Sequence, residues 1–243
     1  MAAAEVTAPV IEVRDLRFTW PGQQQACLEI GHFEVAQGER LFIQGPSGSG
    51  KSTLLGVLGG VLQPQAGSVV AHVEGRTVDY GALGRAARDR FRVDHIGFVF
   101  QQFNLVPYLG VLQNVTLPCQ FSRRRRERAG QPEDEARRLL AALDIDDTLL
   151  SRAATQLSVG QQQRVAVARA LIGRPEVVIA DEPTSALDAA RQERFLSLLM
   201  HECEASGAAL LFVSHDERLA GRFNRVLKLD AINRAAQAEE ATS

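Results

Sequence analysis

The chain has 243 residues, a length suited to one α/β domain with inserted subdomains. Its hydrophobic content of 45% and charged content of 23% are ordinary for a globular protein, and a net charge of −2 argues against nucleic acid as the main partner. No apolar run approaches the roughly 20 residues needed to span a bilayer, so a membrane process would need another chain to do the spanning.

Residues 1–9 lack the basic start and long apolar core of a secretion signal. Residues 10–18 alternate apolar and polar, which predicts a half-buried strand broken by Pro21-Gly22. Further strands are expected over 27–35 and 40–44, then a loop of small residues over 45–50 and a helix over 51–61 ended by Pro64. A strand over 67–73, a helix over 83–93 and a short buried strand over 95–100 follow. From 101 to about 158 the pattern gives helices and loops without a strand, including a helix over 133–143 with Pro132 at its start and acids in its first turn.

Strand and helix then alternate again. A helix over 158–172 is closed by Gly173 and Pro175, an apolar strand covers 177–180, and a helix over 188–205 is capped by Gly207. Strands over 209–213 and 225–229 complete the pattern, and the Ala/Glu-rich tail from 231 to 243 is expected to be disordered. The alternation predicts an α/β fold with a mostly parallel sheet, a single domain over 10–230 and a helical insert over about 102–158. The cysteines, Cys27, Cys119 and Cys203, are odd in number and far apart, which points to a reducing compartment.

Gly45-Pro46-Ser47-Gly48-Ser49-Gly50-Lys51-Ser52 fits the phosphate-loop pattern and stands between a predicted strand and a predicted helix. The glycines let backbone N–H groups turn inward toward phosphate oxygens, and the helix N-terminus adds partial positive charge. Lys51 is expected to reach the β- and γ-phosphates, and the Ser52 hydroxyl to bind Mg²⁺. Thr53 closes this nucleotide-binding segment. A plain Gly/Ser turn does not require Lys-Ser at those two places. The apolar run 177–180 ends in Asp181-Glu182. In phosphate-loop enzymes the Asp at that point holds Mg²⁺, often through water, and Glu182 is the natural general base for the attacking water.

Leu157-Ser158-Val159-Gly160-Gln161 opens the helix over 158–172, and Ser158 with Gln161 makes the S-x-x-Q spacing of a capping box. A helix N-terminus with an exposed hydroxyl and free N–H groups is also an anion site. With Gln162-Gln163-Arg164 following, the segment resembles the signature of ATP-binding cassette (ABC) ATPases, with Val159 where the first Gly of Leu-Ser-Gly-Gly-Gln stands.

That resemblance runs from about residue 10 to 229. It implies a P-loop NTPase with a RecA-like core, an N-terminal antiparallel β subdomain and an inserted α-helical subdomain. It further implies that Ser158, Val159, Gly160 and Gln161 grip the γ-phosphate held by the opposite subunit of a head-to-tail homodimer. Ser185-Ala186-Leu187-Asp188 falls in the family's D-loop, along the dimer seam. Phe100-Gln101-Gln102-Phe103 resembles the Q-loop, where Gln101 directly ends the strand and is the better candidate for the Mg²⁺ and water contact, with Gln102 its competitor. His215 is similar to the family's switch histidine, which touches the γ-phosphate, and Trp20 stands where an aromatic stacks on adenine. The bulk of Val159 beside the partner's nucleotide predicts slower dimer closure with the chemistry retained.

Within the family, residues 96–105, Asn114-Val115-x-Leu117-Pro118 and Gln161-Gln162-Gln163-Arg164 look like the lipoprotein-releasing and macrolide-exporter branch (LolD/MacB-like), which also resembles the cell-division ATPase FtsE. The implied role is the ATP- and Mg²⁺-dependent subunit of a bacterial transporter. It would sit on the cytoplasmic face of the inner membrane beneath an FtsX/MacB-like permease. The alternative is a non-transport ATPase regulating an envelope enzyme through a permease-like partner. The Arg123-Arg124-Arg125-Arg126 run is read as a solvated face, or secondarily as a patch for anionic lipid headgroups.

Overall fold

The computed structural model describes residues 9–185 and 187–235. The N-terminal reading over 1–8, Ala186 of the D-loop and the tail over 236–243 lie outside the described residues. Two sheets build the body. Strands β1 (Pro9–Phe18), β2 (Leu28–Ala36), β4 (Ala66–Val73) and β5 (Arg76–Asp79) form an antiparallel sheet in the order β2-β1-β4-β5. Strands β3 (Arg40–Gln44), β6 (Ile96–Val99), β7 (Val177–Asp181), β8 (Ala209–Val213) and β9 (Arg225–Lys228) form a wholly parallel sheet in the order β6-β7-β8-β3-β9. The difference is legible in the burial. β2 alternates buried and open residues, whereas every residue of β8 is buried, as a central parallel strand covered on both faces requires.

Helices α1 (Lys51–Leu58) and α2 (Arg85–His95) follow β3 and β5. Between β6 and the long α6 (Val159–Leu171) come α3 (Val111–Phe121), α4 (Arg123–Ala129), α5 (Pro132–Ala142) and two single 3₁₀ turns at Asp147–Leu149 and Ala154–Gln156. Helix α7 (Ala189–Ser206) separates β7 from β8, and α8 (Leu229–Ile232) follows β9. One apolar core joins Val111, Val115 and Leu140 of the helical region to Val165 of α6 and Phe42 and Phe212 of the parallel sheet. A second lies between the antiparallel sheet, α1 and the other face of the parallel sheet. Helix α6 therefore packs against both the helical region and the parallel sheet.

Three sequence expectations need correction. Helix α1 stops at Leu58, ahead of the 61 expected, because the chain turns at Gly59-Gly60 before Pro64 is reached. The tail is not unstructured from 231. Leu229 is fully buried, and Asn233, 1% exposed, is bonded into the body by its side chain, so 229–235 are ordered. The arginine run is not a solvated face. Arg123, beside Glu127, and Arg126 are exposed, but Arg124 is half-buried and Arg125 buried.

Arg125 is 2% exposed and donates from Nη1 to the Ala170 and Ile172 carbonyls at 3.1 Å each and from Nη2 to the Ile96 carbonyl at 2.7 Å. Burial lowers its pKa to about 10, still far above neutrality, so it is a charged bolt through the seam between insert and body. Gly173 leaves room for it, since a Cβ there would lie 2.5 Å from the Arg125 Cβ. Arg124 pairs with Glu74 and Glu176, the latter also bonded to His95 Nδ1 at 2.9 Å, and Arg126 donates to the Cys119 carbonyl at 2.9 Å. Ion pairing is absent from a charge count, which is why the run misled.

Candidate active site

The loop after β3 curls because Gly48 and Gly50 hold φ of 82° and 97°, the left-handed region that favours glycine. A Cβ at Gly48 would meet nothing within 4 Å, so it is the left-handed backbone and not crowding that calls for glycine there. The Ser49 Oγ is buried in it without a partner among the described residues. Lys51 Nζ folds over the loop and donates to the carbonyls of Gly45 and Pro46, each at 2.8 Å. Helix α1 has no side-chain cap, which leaves its first N–H groups for a ligand.

Asp181 ends β7 between two parallel neighbours and is half-buried. Burial raises its carboxyl pKa, the charge of Glu182 adds to that, and a hydrogen bond from Ser52 and the charge of Lys51 oppose it. Glu182 turns the chain at φ 45°, a left-handed conformation costing on the order of 1 kcal/mol in a non-glycine residue. Its N–H donates to the Val213 carbonyl at 3.0 Å. That turn aims Oε2 at His215 Nδ1, 3.3 Å away across the ends of β7 and β8.

A cavity of about 710 Å³ brings these groups together: Trp20, Gly45, Ser47 through Thr53, Glu182 and His215 all line it. Trp20 is 43% exposed and meets Phe18 in a T-shaped contact, with ring centroids 5.1 Å apart, so part of the indole remains open. Pro46 and Asp181 stand just behind the lining, through Lys51 and Ser52 respectively. Ser52 and Asp181 fit Mg²⁺, which characteristically takes one or two protein ligands plus substrate phosphates and water. No group of three or more His, Cys, Asp or Glu suited to a metal occurs among the described residues. Such a cluster is not what Mg²⁺ on a phosphate chain needs.

Other predicted residues do not line this cavity. Gln101 and Gln102 are both exposed in the turn after β6, so the choice between them is open on position alone. Ser158, Val159, Gly160 and Gln161 lie at the start of α6. The capping box forms there: the Gln161 N–H donates to Ser158 Oγ at 3.3 Å and the Ser158 N–H to Gln161 Oε1 at 2.9 Å. Val159 is helical and 52% exposed. In the D-loop, Ser185 is exposed, Leu187 half-buried, and Asp188 caps α7 by accepting from the Arg191 N–H at 2.9 Å.

Two connections escaped the sequence. Gln163 on α6 is buried and donates to the Pro183 carbonyl at 2.6 Å, tying the signature helix to the turn after Glu182. Arg169, from the same helix, donates to the carbonyls of Phe103 and Asn104 at 2.6 and 2.7 Å. Those two residues hold φ of 57° and 46°, so Arg169 clamps a left-handed turn in the predicted Q-loop. The only signal was a lone Arg in an otherwise apolar stretch of α6.

The family described as ABC transporter matches residues 28–185. The lipoprotein-releasing system ATP-binding protein LolD of Novosphingobium aromaticivorans is 41% identical over 223 residues, which cover 91% of this chain and 96% of that one. The macrolide export ATP-binding/permease protein MacB of Rhodopseudomonas palustris is 37% identical over 222 residues, 90% of this chain but 32% of that protein. Among solved structures, the dimeric post-hydrolysis state of the ATP-binding cassette MJ0796 (Methanocaldococcus jannaschii) bound to ADP and Pi matches with a TM-score of 0.76 and 33% identity, covering 90% of this chain and 93% of that one.

Proposed function

The chain belongs to the ABC transporter family, and on that premise we propose that it is the ATP-binding and ATP-hydrolysing subunit of a transporter of the lipoprotein-releasing or macrolide-exporting type. The observation that carries the chemistry is the cavity that joins the phosphate loop, the Ser52–Asp181 pair and the Glu182–His215 pair. Inward N–H groups of the loop and Lys51 hold the phosphate chain. Ser52 and Asp181 hold Mg²⁺, which supplies charge neutralisation on the phosphate oxygens when bound. Glu182 accepts the proton of the attacking water, and His215 fixes the direction of its carboxylate through the 3.3 Å contact. Trp20 offers a flat face to the adenine.

The signature segment lies outside its own copy's cavity, and its helix N-terminus is an anion site that a second, head-to-tail copy would use. The dimeric structure of MJ0796 supports that assembly. No described helix is long and apolar enough to cross a membrane. MacB carries its permease in one polypeptide, and this chain matches only its ATP-binding portion, so the reading assigns the spanning segments to a separate FtsX/MacB-like permease on whose cytoplasmic side this chain sits. The named relatives favour lipoprotein release or macrolide export over the cell-division alternative. The test is phosphate release from Mg·ATP by the purified chain, alone and with the permease that co-purifies from membranes. Release should vanish in Lys51→Ala; equal release by parent and variant would refute the assignment.

A further inference from the structure

The C-terminal segment takes part in the cavity, and nothing in the motifs accounts for it. After β9 the chain enters α8, and Leu229, fully buried, packs 3.6 Å from where a Cβ on Gly45 of the phosphate loop would stand. Asn233 follows, 1% exposed, and it and Ala235 line the cavity. Its amide makes three hydrogen bonds. Oδ1 accepts from the Glu29 N–H at 2.8 Å and from the Ala235 N–H at 3.3 Å, and Nδ2 donates to the Cys27 carbonyl at 3.0 Å.

Cys27 immediately precedes β2 and Glu29 is its second residue, and β2 is an edge strand of the antiparallel sheet. Asn233 therefore replaces the strand partner that this edge lacks, bonding an N–H and a C=O two residues apart as a neighbouring strand would. The place it secures is part of the site. Gln23, Gln25, Ala26 and Cys27 form the wall that runs from Trp20 to the phosphate loop. Cys27 touches that loop directly: its carbonyl lies 3.3 Å from where a Gly50 Cβ would be, and its Sγ lies 3.5 Å from Thr53 Oγ1.

Resting on the ATP reading above, we infer that Asn233 is a positioning residue for the nucleoside half of the bound nucleotide. It acts through Cys27 by fixing the wall between Trp20 and the phosphate loop, while the phosphate contacts are made without it. The C-terminal segment is thus a component of the nucleotide pocket, in the place where an open strand edge would otherwise stand.

The prediction is a selective loss. Calorimetric titration of Asn233→Ala should show ATP bound about tenfold more weakly, the effect of losing about one net hydrogen bond at the site. Inorganic tripolyphosphate, which has no nucleoside, should bind unchanged. KM for ATP should rise with kcat retained, and the ATP-induced change in fluorescence of Trp20, the one tryptophan of the chain, should shrink. Asn233→Leu, which keeps the size without adding charge but loses the bonds to Cys27 and Glu29, should show the same selectivity if the Ala variant folds poorly. Equal weakening toward ATP and tripolyphosphate, or no change toward either, would overturn the inference. A parent chain that bound no ATP would instead overturn the ATP reading, and this inference with it.

Discussion

Replacing Arg125 with Met keeps most of the side-chain volume and removes the charge. Three carbonyls, of Ile96, Ala170 and Ile172, then lose their donor in a seam closed to water. Hydrogen bonds to charged groups contribute about 1.5–3 kcal/mol each, but removing the guanidinium also removes the cost of burying it. Breaking a buried charge arrangement from one side costs about 3–5 kcal/mol net. At about 2–4 °C per kcal/mol for a chain of this size, a loss of ~4 kcal/mol lowers the melting temperature by roughly 8–16 °C. Urea and thermal unfolding measure it. Arg123→Met is the internal control, because Arg123 is exposed and its ion pair is with Glu127 one helical turn on, and it should leave the melt unmoved. An Arg125→Met variant within about 1 kcal/mol of the parent would refute the reasoning, since water or a shifted backbone would then be satisfying those carbonyls.

Glu182→Gln should bind ATP without turning it over and accumulate as a closed dimer, which light scattering detects; an ATP-loaded monomer would contradict the shared-site arrangement. Val159→Gly should raise ATP turnover, because the exposed isopropyl group at the start of α6 is then absent from the dimer seam; an unchanged rate sinks that idea. Asp181→Asn tests the raised Asp181 pKa. A folded pKa above the unfolded one contributes stability that is complete below the unfolded value and lost as pH rises through the folded value. The parent should therefore lose stability as pH rises through the folded pKa, whereas Asp181→Asn, which has no such proton to lose, should lack that loss and gain no stabilisation from Mg·ATP. A parent that gained stability relative to the variant as pH rose would reverse the sign.

Contiguous chemistry was readable in the sequence. The phosphate loop needs glycine, lysine and serine at fixed spacing, and the strand end needs two acids in a row, so Gly45 to Ser52 and Asp181-Glu182 declare themselves. The Ser158–Gln161 capping box is local too, closed within one helical turn, and it forms as expected. The parallel sheet could be anticipated because its central strands β7 and β8 are apolar runs separated by a helix.

Tertiary structure alone decided which polar side chains act as bolts. Arg125 inside a run of four arginines, Arg169 on an apolar helix and Asn233 in a tail rich in alanine look in sequence like solvated groups. Each instead bonds backbone groups distant in sequence: the seam carbonyls, the left-handed turn after β6 and the open edge beside β2. Those pairings exist only once sheets and helices have been brought together. A chain can encode its local hydrogen bonds in neighbouring residue types, but the backbone groups left over at packed edges are set by residues tens to hundreds of positions apart, and their partners become visible only in the folded molecule.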